Sequence, residues 1–275
     1  GGTLDPDAEA DRKDADGVRL VVALERCGVD LYRMNEAHAE LANAGAYLEL
    51  HIEQGPVLLD MGLPLGVVLG TFGVERHAIH FRGQAAHSGS TPMDKRRDAF
   101  LAAARMSPEV YEITERRGGV CTIGSCVTRP GIVTSVVAEC DITLDQRHLD
   151  PDALAGMLAD AKEASERFAR EGGVDVSWSH LWSIAPMPFH PDLIELADDA
   201  VKEAAGVSHR LPSGPLHDAA EVARAGVPTV MLFVQSLHGI SHNKIEDTKE
   251  EHLEMSVVAL DKLADKTMGW LLARG

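Results

Sequence analysis

The chain has 275 residues, 45% hydrophobic and 25% charged, an ordinary balance for one large globular domain or two smaller ones. Its net charge of −17 disfavours nonspecific binding to nucleic acid or anionic membranes, whose phosphates would repel it, but not binding of a small anionic substrate. No apolar run reaches the length of a membrane span, and the acidic N-terminus does not resemble a signal peptide. The four cysteines form no Cys-x-x-Cys pair, which predicts reduced, buried thiols in a cytoplasmic protein.

The first part of the chain mixes helical and strand-like patterns, as an α/β domain does. The first predicted helix is capped by Asp14 or Asp16 and stops at Gly28. A strand that ends in "YLELHIEQGP" follows, and the next apolar, glycine-punctuated stretch reads as a buried strand. The predicted elements are helices at 14–30 and 36–44, strands at 46–52 and 63–72, and a helical turn at 56–62.

The middle of the chain has a different pattern, with polar residues interleaved in its strands. A long helix is expected from Thr91 as N-cap, with Pro92 in the first helical position and Asp94 completing a capping box. Pro108 either breaks or kinks this helix. The order is β-α-β-β-α-β over 74–184, which predicts a ferredoxin-like unit with a four-stranded antiparallel sheet and both helices on one face.

The last part of the chain returns to an α/β pattern after a proline-rich joint. It contains two predicted helices, the apolar strand "VPTVMLFVQS" and a long C-terminal helix. The sequence therefore predicts an α/β domain formed by 1–73 and 185–275, with an α+β domain inserted at 74–184.

Two histidines follow apolar strands, His51 in "LHIEQG" and His242 in "GISHN". If both strands belong to one sheet, they present these imidazoles at its C-terminal edge, where open α/β sheets bind ligands. Imidazole is a good zinc ligand, so the pair suggests a metal site. Each histidine taken alone is equally compatible with a structural role.

Three further clusters contain residues suited to chemistry. His87 lies in a Gly/Ser loop, where the alternative is a solvated surface residue. His217 and Asp218 lie at a helix start that favours anions, although Asp218 is also an ordinary helix-start carboxylate. Arg147 ends a strand and could clamp a carboxylate, or it could be a surface charge.

Four motifs occur in a characteristic order: "HIEQGPVL", "GQAAHSGSTPM-x4-DA", "SG-x2-HDA" and "GISHN". Together they resemble the M20-type metallo-amidohydrolases, in the branch of N-carbamoyl-L-amino-acid hydrolases, allantoate amidohydrolases and β-ureidopropionases. The resemblance implies an α/β catalytic domain with an inserted lid domain that forms a homodimer. It also implies two divalent metal ions, zinc or manganese, which activate a water that attacks an amide-type carbon of a small carboxylate-bearing substrate.

The resemblance also assigns roles to individual residues. It makes His51 and His242 ligands of one metal each, and histidine rather than an acidic residue at position 51 favours the carbamoylase branch. It makes His87 an oxyanion stabiliser, reaching into the partner subunit's site. The implied substrate-binding residues are Gln54, Thr134, Arg147 and His217.

The sequence departs from the family pattern in two places. Thr134 stands where the family usually has the asparagine of an Asn-x-x-Pro-Gly turn. The family's His-x-Asp motif, bridging aspartate and Glu-Glu pair are not recognisable in residues 1–48, so we expect an incomplete catalytic domain. Two hypotheses follow: a fragment of a metal-dependent amidohydrolase, or a non-catalytic dimerisation or ligand-binding module that has lost its metal centre.

Overall fold

The computed structural model describes residues 2–274, which divide into two compact units. The first unit comprises the chain up to Thr71 and from Met187 onward, and the second is Phe72–Pro186. Each unit has its own sheet and hydrophobic core, so the mixed α/β class expected from the sequence is confirmed. No helix in the described residues is long and apolar enough to cross a membrane.

The bounds of the elements are as follows. The strands are β1 (Tyr47–Ile52), β2 (Leu65–Thr71), β3 (Gly73–Arg82), β4 (Val120–Arg129), β5 (Glu139–His148), β6 (Asp175–Ile184), β7 (Met187–Pro188), β8 (Arg210–Ser213) and β9 (Thr229–Val234). The α-helices are α1 (Pro6–Glu9), α2 (Leu20–Arg26), α3 (His38–Leu41), α4 (Val57–Met61), α5 (Ala99–Arg117), α6 (Pro151–Gly172), α7 (Pro191–Ala205), α8 (Asp218–Arg224) and α9 (Glu250–Leu272). Turns of 3-10 helix cover Leu31–Ala37, Met93–Lys95 and Leu237–Gly239.

The sheet of the first unit has the order β1-β9-β2-β7, with β8 also paired to β2. Strand β9 is buried along its whole length because it lies between two strands and beneath helices, and its residues are almost all apolar. Burying a side chain such as Phe233 or Leu232 contributes roughly 1.5–3 kcal/mol. Because β1 runs parallel to β9, the C-terminal ends of both strands reach the same edge of the sheet.

The sheet of the second unit is antiparallel, in the order β4-β5-β3-β6. Helices α5 and α6 pack on each other and on this sheet. Alternation along β5 buries Cys140, Ile142 and Leu144 in the core, while Asp141 and Asp145 make ion pairs with arginines. The observed order of strands and helices is that of a ferredoxin-like unit.

The predicted start of the long helix α5 at Thr91 is wrong. The helix begins at Ala99, and its N-cap is Asp98, whose side chain accepts the N–H groups of Phe100 and Leu101. The Arg96 guanidinium instead donates to the backbone carbonyls of Ser88 and Thr91, which holds the preceding segment in a loop. Those contacts are not visible in a capping pattern.

Pro108 does not end helix α5, which continues to Arg117. The cap predicted for the helix at 14–30 is also wrong, because the helix there, α2, covers only Leu20–Arg26 and has no side-chain cap. The Asp14 carboxylate accepts the N–H groups of Asp16 and Val18 and so stabilises the turn before the helix. A short acidic side chain forms such a turn as readily as it caps a helix.

The prediction of buried thiols is wrong for two of the four cysteines. All four are free, but Cys27 and Cys126 are exposed, whereas Cys140 is buried. Cys27 follows the end of α2, and Cys126 lies on the edge strand β4. Their exposure follows from these positions, which composition cannot indicate.

We expect Gly83→Ala to destabilise the protein by about 1–3 kcal/mol or more. A Cβ at position 83 would lie 2.0 Å from the Arg97 carbonyl oxygen, which accepts the Gln84 N–H, so backbone would have to move. Urea unfolding measures the effect. Gly269→Ala in α9 is the control: its Cβ meets nothing within 4 Å, and alanine is the better helix former. Equal effects of the two substitutions would contradict the steric explanation.

Candidate active site

The loops that follow β1 and β9 are joined at the shared edge of the first unit's sheet. The Gln54 N–H donates to Ser236 Oγ at 3.0 Å, and the Glu53 N–H donates to the Val234 carbonyl at 2.9 Å. Gly239 approaches Pro56 so closely that a Cβ added at Gly239 would lie 2.7 Å from the Cα of Pro56. The edge at which the sequence predicted a site is therefore a defined pair of loops.

The His51 imidazole has a fixed orientation. Its Nδ1 lies 2.7 Å from the Ile52 carbonyl oxygen, which can only accept, so Nδ1 carries the proton. Nε2 is then left with a lone pair. Histidines that bind metal usually donate their other N–H to such a carbonyl or carboxylate, so the ring is prepared as a ligand.

His217, predicted to bind substrate, lies beside His51, predicted to bind metal. The two rings are in edge contact, with centroids 4.5 Å apart, and His217 also contacts Phe233. Its Nε2 lies 2.8 Å from Ser213 Oγ. Burial, followed by the neighbouring His51, lowers the pKa of His217 to about 4, so its imidazole is neutral near pH 7.

Glu49 was not singled out from the sequence but belongs to the same cluster. Its carboxylate accepts the Ala219 N–H at 2.8 Å and the Tyr47 hydroxyl at 3.2 Å, and it lies 3.9 Å from His217 Nδ1. Residues two apart on a strand share a face, so Glu49 lies on the face of His51. The polar alternation in "YLELHI" is the signal that could have revealed it.

A serine-hydrolase triad places a serine, a histidine and a carboxylate side by side. The side chains of Ser213, His217 and Glu49 are spatial neighbours in that order. The hydroxyl of Ser213, however, is fully buried and donates to the Pro215 carbonyl at 2.9 Å. The Glu49–His217 separation of 3.9 Å is too long for a hydrogen bond. The cluster therefore does not form a nucleophilic triad.

Strained backbone marks this edge of the sheet. Within the described chain, the non-glycine residues with positive φ are Gln54 (59°), His238 (59°) and His242 (54°), all in the loops after β1 and β9. His242 is exposed, and its N–H donates to Glu246 at 2.7 Å. Left-handed conformations cost non-glycine residues about 1–2 kcal/mol each and cluster at functional sites.

We expect Gln54→Gly to stabilise the protein by about 1 kcal/mol, because glycine adopts φ 59° without strain. The free energy of unfolding in urea measures the change. The control is Gln84→Gly, at a position with ordinary φ, where added freedom of the unfolded chain should destabilise. Destabilisation by Gln54→Gly equal to that of the control would show that the position is unstrained.

In the second unit, His87 is exposed and its tautomer is defined. Nδ1 accepts the N–H groups of Gly89 at 3.1 Å and Ser90 at 3.2 Å, so the proton lies on Nε2. The backbone beside it pairs with the Thr134 segment, since the Ser88 N–H donates to the Thr134 carbonyl at 3.0 Å. The structure thus brings together His87 and Thr134, two residues far apart in sequence.

Arg147 already has a carboxylate partner. Its guanidinium contacts Asp145 at 2.7 and 3.3 Å, and Asp145 also contacts Arg76 at 2.5 Å. Burial raises the pKa of Asp145, but the hydrogen bonds from both arginines outweigh it, and the pKa is lowered overall. Arg147 is therefore held in place by a carboxylate that remains ionised.

The comparisons with known proteins agree with the motifs. The family model of peptidase family M20/M25/M40 matches residues 9–266. The chain belongs to this family. The N-carbamoyl-L-amino acid amidohydrolase of Geobacillus stearothermophilus is 34% identical to this M20 chain, with 91% of this chain and 61% of that protein covered. The allantoate amidohydrolase of Escherichia coli K12 is 32% identical, with 94% and 63% covered.

Solved structures share the fold of this M20 chain. An amidase of the hydantoinase/carbamoylase family from Burkholderia multivorans superposes with a TM-score of 0.82 and 31% identity, covering 97% of this chain and 64% of that one. A related structure from Burkholderia ambifaria gives 0.81 and 30%, with 97% and 64% covered. The chain thus spans about three fifths of the length of these relatives.

M20 membership suggests dependence on a divalent metal, and the described residues meet that requirement only in part. His51 presents a free Nε2 lone pair in the orientation of a ligand. In residues 2–274, however, no three His, Cys, Asp or Glu side chains lie together as a metal-binding group. Catalytic zinc usually has three protein ligands, so these residues do not form a complete metal centre by themselves.

Proposed function

We propose that this M20 chain serves the hydrolysis of a linear ureido or amide C–N bond, in a substrate of the N-carbamoyl amino acid, allantoate or ureidopropionate type. The observation that carries the proposal is the contact between His51 and His217 at the shared end of β1 and β9. The names of the N-carbamoyl-L-amino acid and allantoate amidohydrolases support the choice of bond.

The proposed roles follow the protonation of each side chain. His87 would donate from Nε2 to the oxygen that gains charge when water adds to the ureido carbon. Arg147, held by Asp145, would bind the substrate carboxylate, and Gln54, Thr134 and His217 would contact the rest of the substrate. In this arrangement the positively charged Arg147 binds the substrate carboxylate, and neutral hydrogen-bond donors and acceptors contact the ureido group.

We propose that the complete site holds two divalent metal ions, zinc or manganese, with His51 and His242 as one ligand each. The described residues complete neither ligand set. We also propose a cytoplasmic homodimer formed through the second unit. Strand β4 supports this, since it lies at the edge of its sheet and so leaves backbone groups available for pairing.

The alternative is a non-catalytic dimerisation or ligand-binding module. It is favoured by the incomplete metal-ligand set of the described residues. The two functions differ in one respect that can be measured: only the first gives turnover once a complete metal centre is supplied.

A chimaera tests the proposal directly. Residues 9–266, the range that the M20 family model matches, would replace the corresponding segment of the Geobacillus stearothermophilus relative. The purified, metal-loaded protein would be assayed with N-carbamoyl amino acids, allantoate and a dipeptide. We expect turnover of a ureido substrate. Cleavage of the dipeptide alone would contradict the proposed substrate class. A folded chimaera with two bound metals and no turnover would favour the non-catalytic module.

A further inference from the structure

Ser213 is the last residue of β8, and its fully buried hydroxyl has two neighbours. Its oxygen lies 2.9 Å from the Pro215 carbonyl oxygen and 2.8 Å from His217 Nε2. A carbonyl oxygen only accepts hydrogen bonds, so the single proton of the hydroxyl is directed to Pro215. The hydroxyl oxygen must then accept from His217, which places a proton on Nε2.

Glu49 favours the other proton position on the His217 imidazole. Its carboxylate lies 3.9 Å from Nδ1 and would attract a proton to that nitrogen. The separation, which is measured to Glu49 Oε1, exceeds hydrogen-bond distance, and the carboxylate is held through its other oxygen, Oε2, by the Ala219 N–H and the Tyr47 hydroxyl. The hydrogen bond at 2.8 Å therefore outweighs the contact at 3.9 Å.

We infer that Ser213 is a positioning residue that holds the His217 proton on Nε2 and so leaves Nδ1 as a hydrogen-bond acceptor for an N–H group of the substrate. Nδ1 is the nitrogen beside Glu49, on the face of β1 that also carries His51. A ureido group has N–H donors to offer this lone pair, whereas a carboxylate or carbonyl oxygen would be repelled. The identity of the substrate rests on the proposed function; the position of the proton does not.

The experiment is nitrogen NMR of the ¹⁵N-labelled chain at pH 7.5. Long-range ¹H–¹⁵N spectra distinguish the two nitrogens of each of the 13 imidazoles, and His217 is assigned by the signals that disappear in His217→Gln. We expect a neutral ring with the proton on Nε2. A ring with the proton on Nδ1 would overturn the inference, and this result requires no variant of Ser213 to fold.

Variants then separate the effect of Ser213 from that of its neighbour. In Ser213→Ala the Nε2–H bond is lost, and we expect a shift towards the Nδ1–H form facing Glu49, whereas Ser213→Thr keeps the hydroxyl and the Nε2–H form. Glu49→Gln removes the competing charge and should leave the proton on Nε2. An unchanged proton position in folded Ser213→Ala would show that Ser213 does not determine it.

The acceptor role has a separate readout in an active chimaera. Ser213→Ala should raise KM for an N-carbamoyl amino acid about tenfold, the loss of one hydrogen bond, with a smaller effect on kcat, and Ser213→Thr should restore it. An unchanged KM would contradict the acceptor role. Because the spectra need no turnover, an inactive chimaera with Nε2–H on His217 would count against the proposed function alone.

Discussion

The 275-residue chain, purified alone and supplied with zinc or manganese, is expected to bind no stoichiometric pair of metal ions and to hydrolyse neither N-carbamoyl amino acids nor allantoate. His51 is oriented as a ligand, but the described side chains offer no group of three ligands around it. Two cations held close together repel each other, and in two-metal sites shared ligands hold them against that repulsion. A lone imidazole per metal does not form a stable site.

The expected loss of activity also has a proton-transfer component. A general base that takes the proton of the attacking water contributes about 10²–10⁴-fold to such reactions. Glu250 and Glu251 form a Glu-Glu pair, but they lie in the first turn of α9. This position gives no reason to assign either glutamate the role of general base.

Metal content by elemental analysis and product release by chromatography measure the two parts of this expectation. The matched control is the chimaera with the Geobacillus stearothermophilus relative, which adds the part of that protein that this chain does not match and is measured in the same assay. Two equivalents of bound metal with turnover in the chain alone would show that ligands escaped recognition, and the incomplete-centre interpretation would then be wrong.

In an active chimaera, His87→Ala is expected to lower kcat by about 10²–10³-fold, the usual loss when one oxyanion donor is removed. The structure supports a donor role because Nδ1 of His87 accepts two backbone N–H groups, which leaves the proton on Nε2. An exposed imidazole with no such contacts would sample both tautomers and donate less effectively.

Steady-state kinetics with an N-carbamoyl amino acid measure this effect, and KM should change much less than kcat. The control is His38→Ala, which removes an exposed histidine of helix α3 that is assigned no role. His87→Gln keeps a donor and should recover part of the rate. If His87→Ala and His38→Ala have equal rates, His87 is a surface residue.

The sequence by itself determined the order of the longer helices and strands, because periodicity, glycine stops and proline positions act over a few residues, whereas the short elements α1, β7 and β8 were not predicted. Helices α5 and α6 end at Gly118 and Gly173, whose left-handed conformations glycine adopts without cost. The sequence also indicated His51, His87, His217 and His242, because these lie in motifs that resemble those of the M20 family.

Only the tertiary structure decided that His51 meets His217, and which nitrogen carries the proton in the imidazoles of His51, His87 and His217. Glu49 and Ser213 lie in or beside the quoted motifs but had no predicted role, because their partners Ala219 and His217 come into reach only through the packing of α8 on β1 and the turn after β8. The start of α5 was misplaced for the same reason, since Arg96 holds the loop before it by contacts with backbone carbonyls. Local patterns determine which elements form, whereas hydrogen bonds between distant segments depend on how those elements pack, and the proton positions of this site follow from those bonds.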